Sequence, residues 1–205
     1  SVAAGSGESG VVVAGLPGTS RPLGTLEPTP VAPGVARAMT TRAGEYGRRP
    51  WIERSPTSPF PADLRPVLTE EASDSANLDE AFELLLRGGR SAEHSLSMLV
   101  PPAWEETGDA LPEGVREFYR AHAPLMEPWD GPSALAFSDG RFVGAALDRN
   151  GLRPCRYKIT KDGLVVAGSE AGVLALDDDE VLVKGRLGPG EMIGVDREAQ
   201  RFLSD

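Results

Sequence analysis

The chain has almost none of the residues that staple or metallate a small protein. Its 205 residues include one cysteine, Cys155, and two histidines, His94 and His122. A single thiol excludes an intrachain disulfide framework, and two histidines argue against a zinc site of the usual ligand types, so no metal is expected. Long apolar runs are lacking too: nothing approaches the roughly 18 to 20 residues that span a bilayer. The VVVAGL stretch at 11–16 lacks the basic region that leads a signal peptide, which makes a cytoplasmic location and no membrane partner the expectation. Lysine and aspartate are missing from the first 56 residues, which hold six arginines and four glutamates. That stretch is about +2, so the net charge of −10 falls on the remainder, at about −12. Six scattered arginines without lysine clusters or a stacking platform of aromatic rings predict no nucleic-acid partner.

What is present divides the chain. Gly, Pro, Ala, Arg, Ser and Thr supply 39 of the first 56 residues, with turn signals at Leu16-Pro17-Gly18 and Ala32-Pro33-Gly34 and neither helical nor strand periodicity. Ordering such a segment costs roughly 1 to 2 kcal/mol per residue, which so little apolar surface cannot offset. Residues 1–56 are therefore predicted to be a low-complexity segment, disordered or not native to the domain, and 57–205 a folded unit. The chain opens on serine, and the expectation is a piece of a longer protein.

Beyond 59 the pattern is that of a domain. Ser73-Asp74-Ser75-Ala76-Asn77 offers cap residues, and Asn77 with Glu80 reads as a capping box. Leu78, Ala81, Phe82 and Leu85 share one helical face before Gly88-Gly89 stops the helix. Ser91 can cap a second helix that carries Leu96 and Leu99 inward and ends at Pro101-Pro102. A third helix is predicted over 113–123. The period then changes to strands at 134–137, 142–147, 156–160 and 164–167, with turns at Ser138-Asp139-Gly140, Asn150-Gly151 and Lys161-Asp162-Gly163, which predicts an antiparallel meander. Segments 181–184 and 191–195 add strand pairs around Leu187-Gly188-Pro189-Gly190. Helices followed by hairpins indicate a layered α+β domain.

Seven blocks stand in this order: SDSA at 73–76, ELLLRGGRS at 83–91, PAW at 102–104, LMEPWDGP at 125–132, DRNGLRPCRY at 148–157, SE at 169–170 and GRLGPGEM at 185–192. Together they resemble the glutamine amidotransferase domain of the glutamate synthase large subunit, over about 59–205, as the second half of that domain. The amidophosphoribosyltransferases share the SDS and NG-x-RP elements and stay as an alternative. The resemblance implies an N-terminal-nucleophile-hydrolase-like fold of layered antiparallel sheets with helices, incomplete here. It also implies a mechanism. A cysteine at the mature N-terminus, with its own α-amino group as base, attacks the glutamine carboxamide to give a thioester and ammonia. An asparagine and a glycine hold the oxyanion, and an arginine grips the substrate carboxylate. Ammonia then serves glutamate synthesis from 2-oxoglutarate, with FMN and an iron–sulfur cluster downstream of Asp205 and a small electron-transfer subunit as partner.

Residues 1–58 contain no N-terminal cysteine, no HNGE-like segment and no RYST-like arginine motif, so no catalytic residue is assigned and the chain alone is expected to be inactive. Ser1 is followed by nothing that matches, and Cys155 lies mid-chain, where no α-amino base exists; it reads as a small core residue. In the resembled family an aspartate in the SD-S/T context accepts the α-ammonium of glutamine through a charge-assisted hydrogen bond, a role that falls on Asp74, with Ser73 as a neighbouring polar contact. From spacing alone Asp74 is equally a helix-terminus carboxylate. Asp148, Arg149, Asn150 and Arg153 read as a tight hairpin with charges pinning the turn and Asn-Gly at positions of positive φ, and Trp104 and Trp129 as packing anchors. Two classes of function stay open: part of a glutamate synthase, or a non-catalytic amidotransferase-like module that binds glutamine or acts as a scaffold.

Overall fold

The computed structural model describes residues 68–69, 72–106, 110–126 and 128–204, together with three short strands at 2–5, 11–15 and 37–40. The strands are β1 Val2–Gly5, β2 Val11–Gly15, β3 Arg37–Thr40, β4 Ala134–Ser138, β5 Phe142–Leu147, β6 Arg156–Thr160, β7 Leu164–Gly168, β8 Val181–Arg186, β9 Met192–Asp196 and β10 Arg201–Ser204. Among the described residues the α-helices are α1 Asp74–Arg87, α2 Ala92–Leu99 and α3 Glu113–His122. Two five-stranded sheets form, in the orders β1-β2-β7-β6-β8 and β10-β9-β5-β4-β3, with every pair antiparallel.

β5 shows how the layers are built. Strand side chains alternate between faces, so Phe142 and Ala146 join Leu135 and Phe137 beneath α1 and α2. Val143, Ala145 and Leu147 turn the other way and meet Val165 and Ala167 of the facing sheet, with Cys155 just ahead of β6. Both faces of β5 are thus covered and the whole strand is buried. The helix-facing layer holds Phe82 edge-on to Phe137 at 6.0 Å among leucine and methionine side chains, whereas the buried side chains between the sheets carry no ring, and Tyr157 and Phe202 pack against them half-buried. Gly144 and Gly194 leave room on the sheet for the rings of Phe137 and Phe142, into which a Cβ would run.

Several sequence expectations need correction. The strands from 134 to 167 are not one meander: β4–β5 and β6–β7 are hairpins, but β5 pairs with β9 and β6 with β8, in separate sheets. Segments 181–184 and 191–195 likewise belong to different sheets instead of pairing with each other. The cause is burial: β5 and β7 are apolar on both faces and are satisfied only when two sheets stack. Asn150 does not take positive φ, because no two-residue hairpin joins β5 to β6; only Gly151 does, at φ 59°, where a Cβ would also strike Pro189. The Asn77–Glu80 box is absent. Ser73 caps α1 four residues earlier, and Glu80 instead accepts from the amide and hydroxyl of Thr69 at 2.7 and 2.6 Å.

Residues 1–56, read as lacking strand periodicity, supply β1, β2 and β3. β2 lines up against β7, Val11 opposite Gly168, and β3 against β4, Thr40 opposite Leu135. Strand addition uses main-chain groups, so it tolerates short segments with no alternating pattern. The disorder expected of the rest of that stretch lies outside the described residues.

Candidate functional site

The start of α1 is fixed by its own cap. Ser73 is extended (φ −69°, ψ 155°), and its hydroxyl accepts from the Ala76 amide at 3.3 Å while lying 3.1 Å from the Ser75 hydroxyl. Asp74 is the first helical residue and half-buried, so its carboxyl sits where amides without intrahelical partners and the helix dipole favour negative charge. Ser73 and Asp74, the two residues singled out from sequence, therefore stand together at one helix end. The Ser73 oxygen is already committed to capping.

A second structure reaches this helix end from far along the chain. The Trp129 indole Nε1 donates to the Asp74 carbonyl at 3.1 Å, and the Trp129 amide donates to the carbonyl of Leu99, the last residue of α2, at 2.7 Å. Next to it, Arg149 donates to Asp130 at 2.7 Å in a half-exposed ion pair. Asp148, only 1 % exposed, holds the base: its carboxylate accepts from the amides of Ser133 and Asn150, both at 2.9 Å. Its carbonyl accepts from Gly151 at 3.0 Å and Gly190 at 2.9 Å. A buried carboxylate is tolerable only when so fully hydrogen-bonded. The turn is pinned by charge as expected, but Arg149 reaches outward to the 128–133 loop.

Beside Trp129 opens a pocket of about 200 Å³, walled by Trp104, Tyr119, Met126 and Trp129 and edged by His122 and Arg149. Trp104 and Tyr119 stack with ring centroids 6.1 Å apart at 16°. His122 Nδ1 lies 2.7 Å from the Phe118 carbonyl, which can only accept, so Nδ1 carries the hydrogen. The other ring nitrogen, His122 Nε2, lies 3.1 Å from His94 Nε2. Burial, then the neighbouring His122 and Arg90, lower the pKa of His94 below the ordinary histidine value, with Glu93 opposing. These histidines tie α2 to α3 and are structural in this arrangement.

Cys155 is buried between the sheets, and burial pushes its thiol up to about 11. A nucleophilic cysteine needs the opposite environment. Among the described residues no group of three or more His, Cys, Asp and Glu is arranged to hold a metal ion, and no helix is long and apolar enough to cross a membrane. The indole bond to Asp74 was missed by sequence reasoning, which placed Trp129 only as a packing anchor. Trp129 does pack on the helix–sheet core as expected, but its donor bond leaves no local signal in the sequence.

Residues 41–205 match the model of the family described as glutamine amidotransferases class-II. Among relatives, the chain is 55% identical over 163 residues to "Ferredoxin-dependent glutamate synthase 2, chloroplastic" of Arabidopsis thaliana, covering 78% of this chain and 10% of that protein. It is 48% identical over 142 residues to "Glutamate synthase (NADPH) large chain" of Bacillus subtilis (strain 168), covering 69% and 9%. It is 51% identical over 145 residues to "Ferredoxin-dependent glutamate synthase 2" of Synechocystis sp., again 69% and 9%. The chain spans about a tenth of the length of these curated relatives.

Proposed function

Because the chain belongs to the class-II glutamine amidotransferases, we propose that it forms part of the amidotransferase region of a glutamate synthase large chain, the part that receives the amino end of glutamine. The observation that carries this is Asp74, a half-buried carboxylate at the first position of a capped helix and within the SDSA block. An ionised carboxylate there makes a charge-assisted hydrogen bond to the α-ammonium of glutamine. In the longer protein, glutamine hydrolysis supplies ammonia for glutamate synthesis from 2-oxoglutarate, with the rest of the large subunit and a small electron-transfer subunit as partners, in the cytoplasm. The domain begins near 57 in this proposal; the family match starts at 41.

FMN and an iron–sulfur cluster belong to the full-length family. A cluster is held by several thiolates, and the one thiol of this chain is buried with its pKa raised, so these residues do not fit it. The same burial withdraws Cys155 from nucleophilic attack on the carboxamide. Positioning without nucleophile or oxyanion donors gives little acceleration, so the chain alone should release no ammonia from glutamine above background. Turnover abolished by Ser1→Ala or Cys155→Ala would overturn that. The Asp74 assignment is tested in a domain completed with a cysteine-bearing first half. There Asp74→Asn should weaken glutamine binding by roughly 1 to 3 kcal/mol, the scale of a hydrogen bond to a charged group, with the melting temperature nearly unchanged. Unchanged affinity beside a lowered melting temperature would reduce Asp74 to a helix-end carboxylate. A non-catalytic glutamine-binding module is the second reading. Neighbouring DNA that encodes a cysteine-led HNGE segment upstream would remove it.

A further inference from the structure

We infer that Trp129 is a positioning residue for Asp74, and that the 128–133 loop and the 148–151 turn form the brace that holds it. The inference rests on the reading of Asp74 as the acceptor of the glutamine ammonium. Two sequence blocks, LMEPWDGP and DRNGLRP, otherwise have no part in that function.

A carbonyl at a helix start has two lone pairs, one of which serves the helix. The indole N–H of Trp129 takes up the other at Asp74, 55 residues away, at 3.1 Å. That bond fixes the first turn of α1 from outside the helix, where helices ordinarily fray. A strut works only if its far end is rigid, and this one is anchored at successive points. The Trp129 amide is bonded to Leu99 at the end of α2. Asp130 is paired with Arg149, and Ser133 is bonded to the buried Asp148 carboxylate. Asp148 in turn closes the Asn150 turn and is bonded through its carbonyl to Gly151 and Gly190. The indole itself packs against the helix–sheet core. The orientation of Asp74 is thereby referred to β5 and to the 188–190 loop as well as to its own helix.

The test separates positioning from plain stability by comparing two ligands. Glutaramate lacks the α-ammonium of L-glutamine and is otherwise the same, so a defect that acts through Asp74 falls on glutamine alone. The 205-residue chain is titrated with each ligand, with binding followed by amide and indole NMR shifts. The wild-type chain should prefer glutamine. Trp129→Phe keeps the ring and removes the donor, and should lower glutamine affinity about fivefold, the factor that corresponds to one ordinary hydrogen bond, while leaving glutaramate affinity unchanged. Arg149→Met, at an exposed position, should give a smaller loss in the same direction and serves if Trp129→Phe does not fold. If Asp74→Asn abolishes the glutamine preference and neither Trp129→Phe nor Arg149→Met reduces it, the brace is wrong and the Asp74 reading stands. If Asp74→Asn leaves the preference intact, or the wild-type chain shows none, the Asp74 reading fails and the brace fails with it. Equal losses for both ligands in Trp129→Phe would also overturn positioning, because they would report general loosening of the pocket.

Discussion

Helices α1 and α3 are both amphipathic, and α3 is the more strongly patterned, yet α1 buries Leu78, Ala81, Phe82 and Leu85 and α3 buries nothing completely. α1 also starts on a side-chain cap at Ser73, whereas α3 starts at Pro112 with no side-chain cap bond. α3 is held by half-buried Phe118, by the stacking of Tyr119 on Trp104, and by the His122–His94 contact. Periodicity therefore tells which face of a helix turns inward but not how far it sinks. Depth depends on what lies underneath: α1 has the Phe137 ring of β4 against Phe82, while α3 meets another helix and a loop.

The contrast can be broken at its strongest point. Phe82→Ala removes a side chain with 0 % exposure and should cost about 3 to 5 kcal/mol in urea unfolding, the range for emptying a buried aromatic site. A loss as small as that of a surface substitution would mean that α1 is no better seated than α3. The cap is the next largest effect. Ser73→Ala should cost about 1 kcal/mol, and Ser73→Asn should restore most of it, since asparagine caps as well as serine. Failure of asparagine to rescue would point to a role for the hydroxyl beyond capping.

Around α3, at the His94 of α2 that contacts it and on its own exposed face, the expected effects are smaller. His94 has a lowered pKa in the folded chain, so the unfolded chain binds more protons around the ordinary value of 6.5. Stability from this source is present above that value and is lost as pH falls through it toward the lowered folded pKa. Melting temperatures should therefore drop on acidification from about pH 7.5 to about pH 5.5, in the window where histidine titrates. His94→Gln should flatten the drop, and an equal drop in that variant would place the titration elsewhere. The smallest effect belongs to Val115→Ala. Val115 is 38% exposed, and its truncation should stay within about 0.5 kcal/mol by the same unfolding measurement.

Local structure was largely legible in the sequence because local rules decide it. Ser91 caps α2 and Pro101 follows its end, and the Asp-Gly turns place positive φ at Gly140 and Gly163. The α1 start was misread because two polar residues competed for the cap, and Glu80 was taken by Thr69 upstream instead of by Asn77. The assignment of strands to two sheets was not legible, since neighbours in sequence usually pair and nothing local in 148–154 announces a change of sheet. At the candidate site, Ser73 and Asp74 stood out as a helix start within a family block. The bond from Trp129 did not, because an indole donor leaves no mark in the sequence pattern until the fold brings it to a carbonyl 55 residues away.

The lone thiol sandwiched between the sheets makes the molecule its own stopwatch. Cys155 can react with an alkylating or disulfide reagent only after the sheets part and water ionises it, since in place it is 5% exposed and held to a pKa of about 11. With no second cysteine to confuse the signal, the labelling rate counts separations of the layers one molecule at a time. A ligand or a completing segment that clamps the sheets together would register as a slower clock, without any added probe.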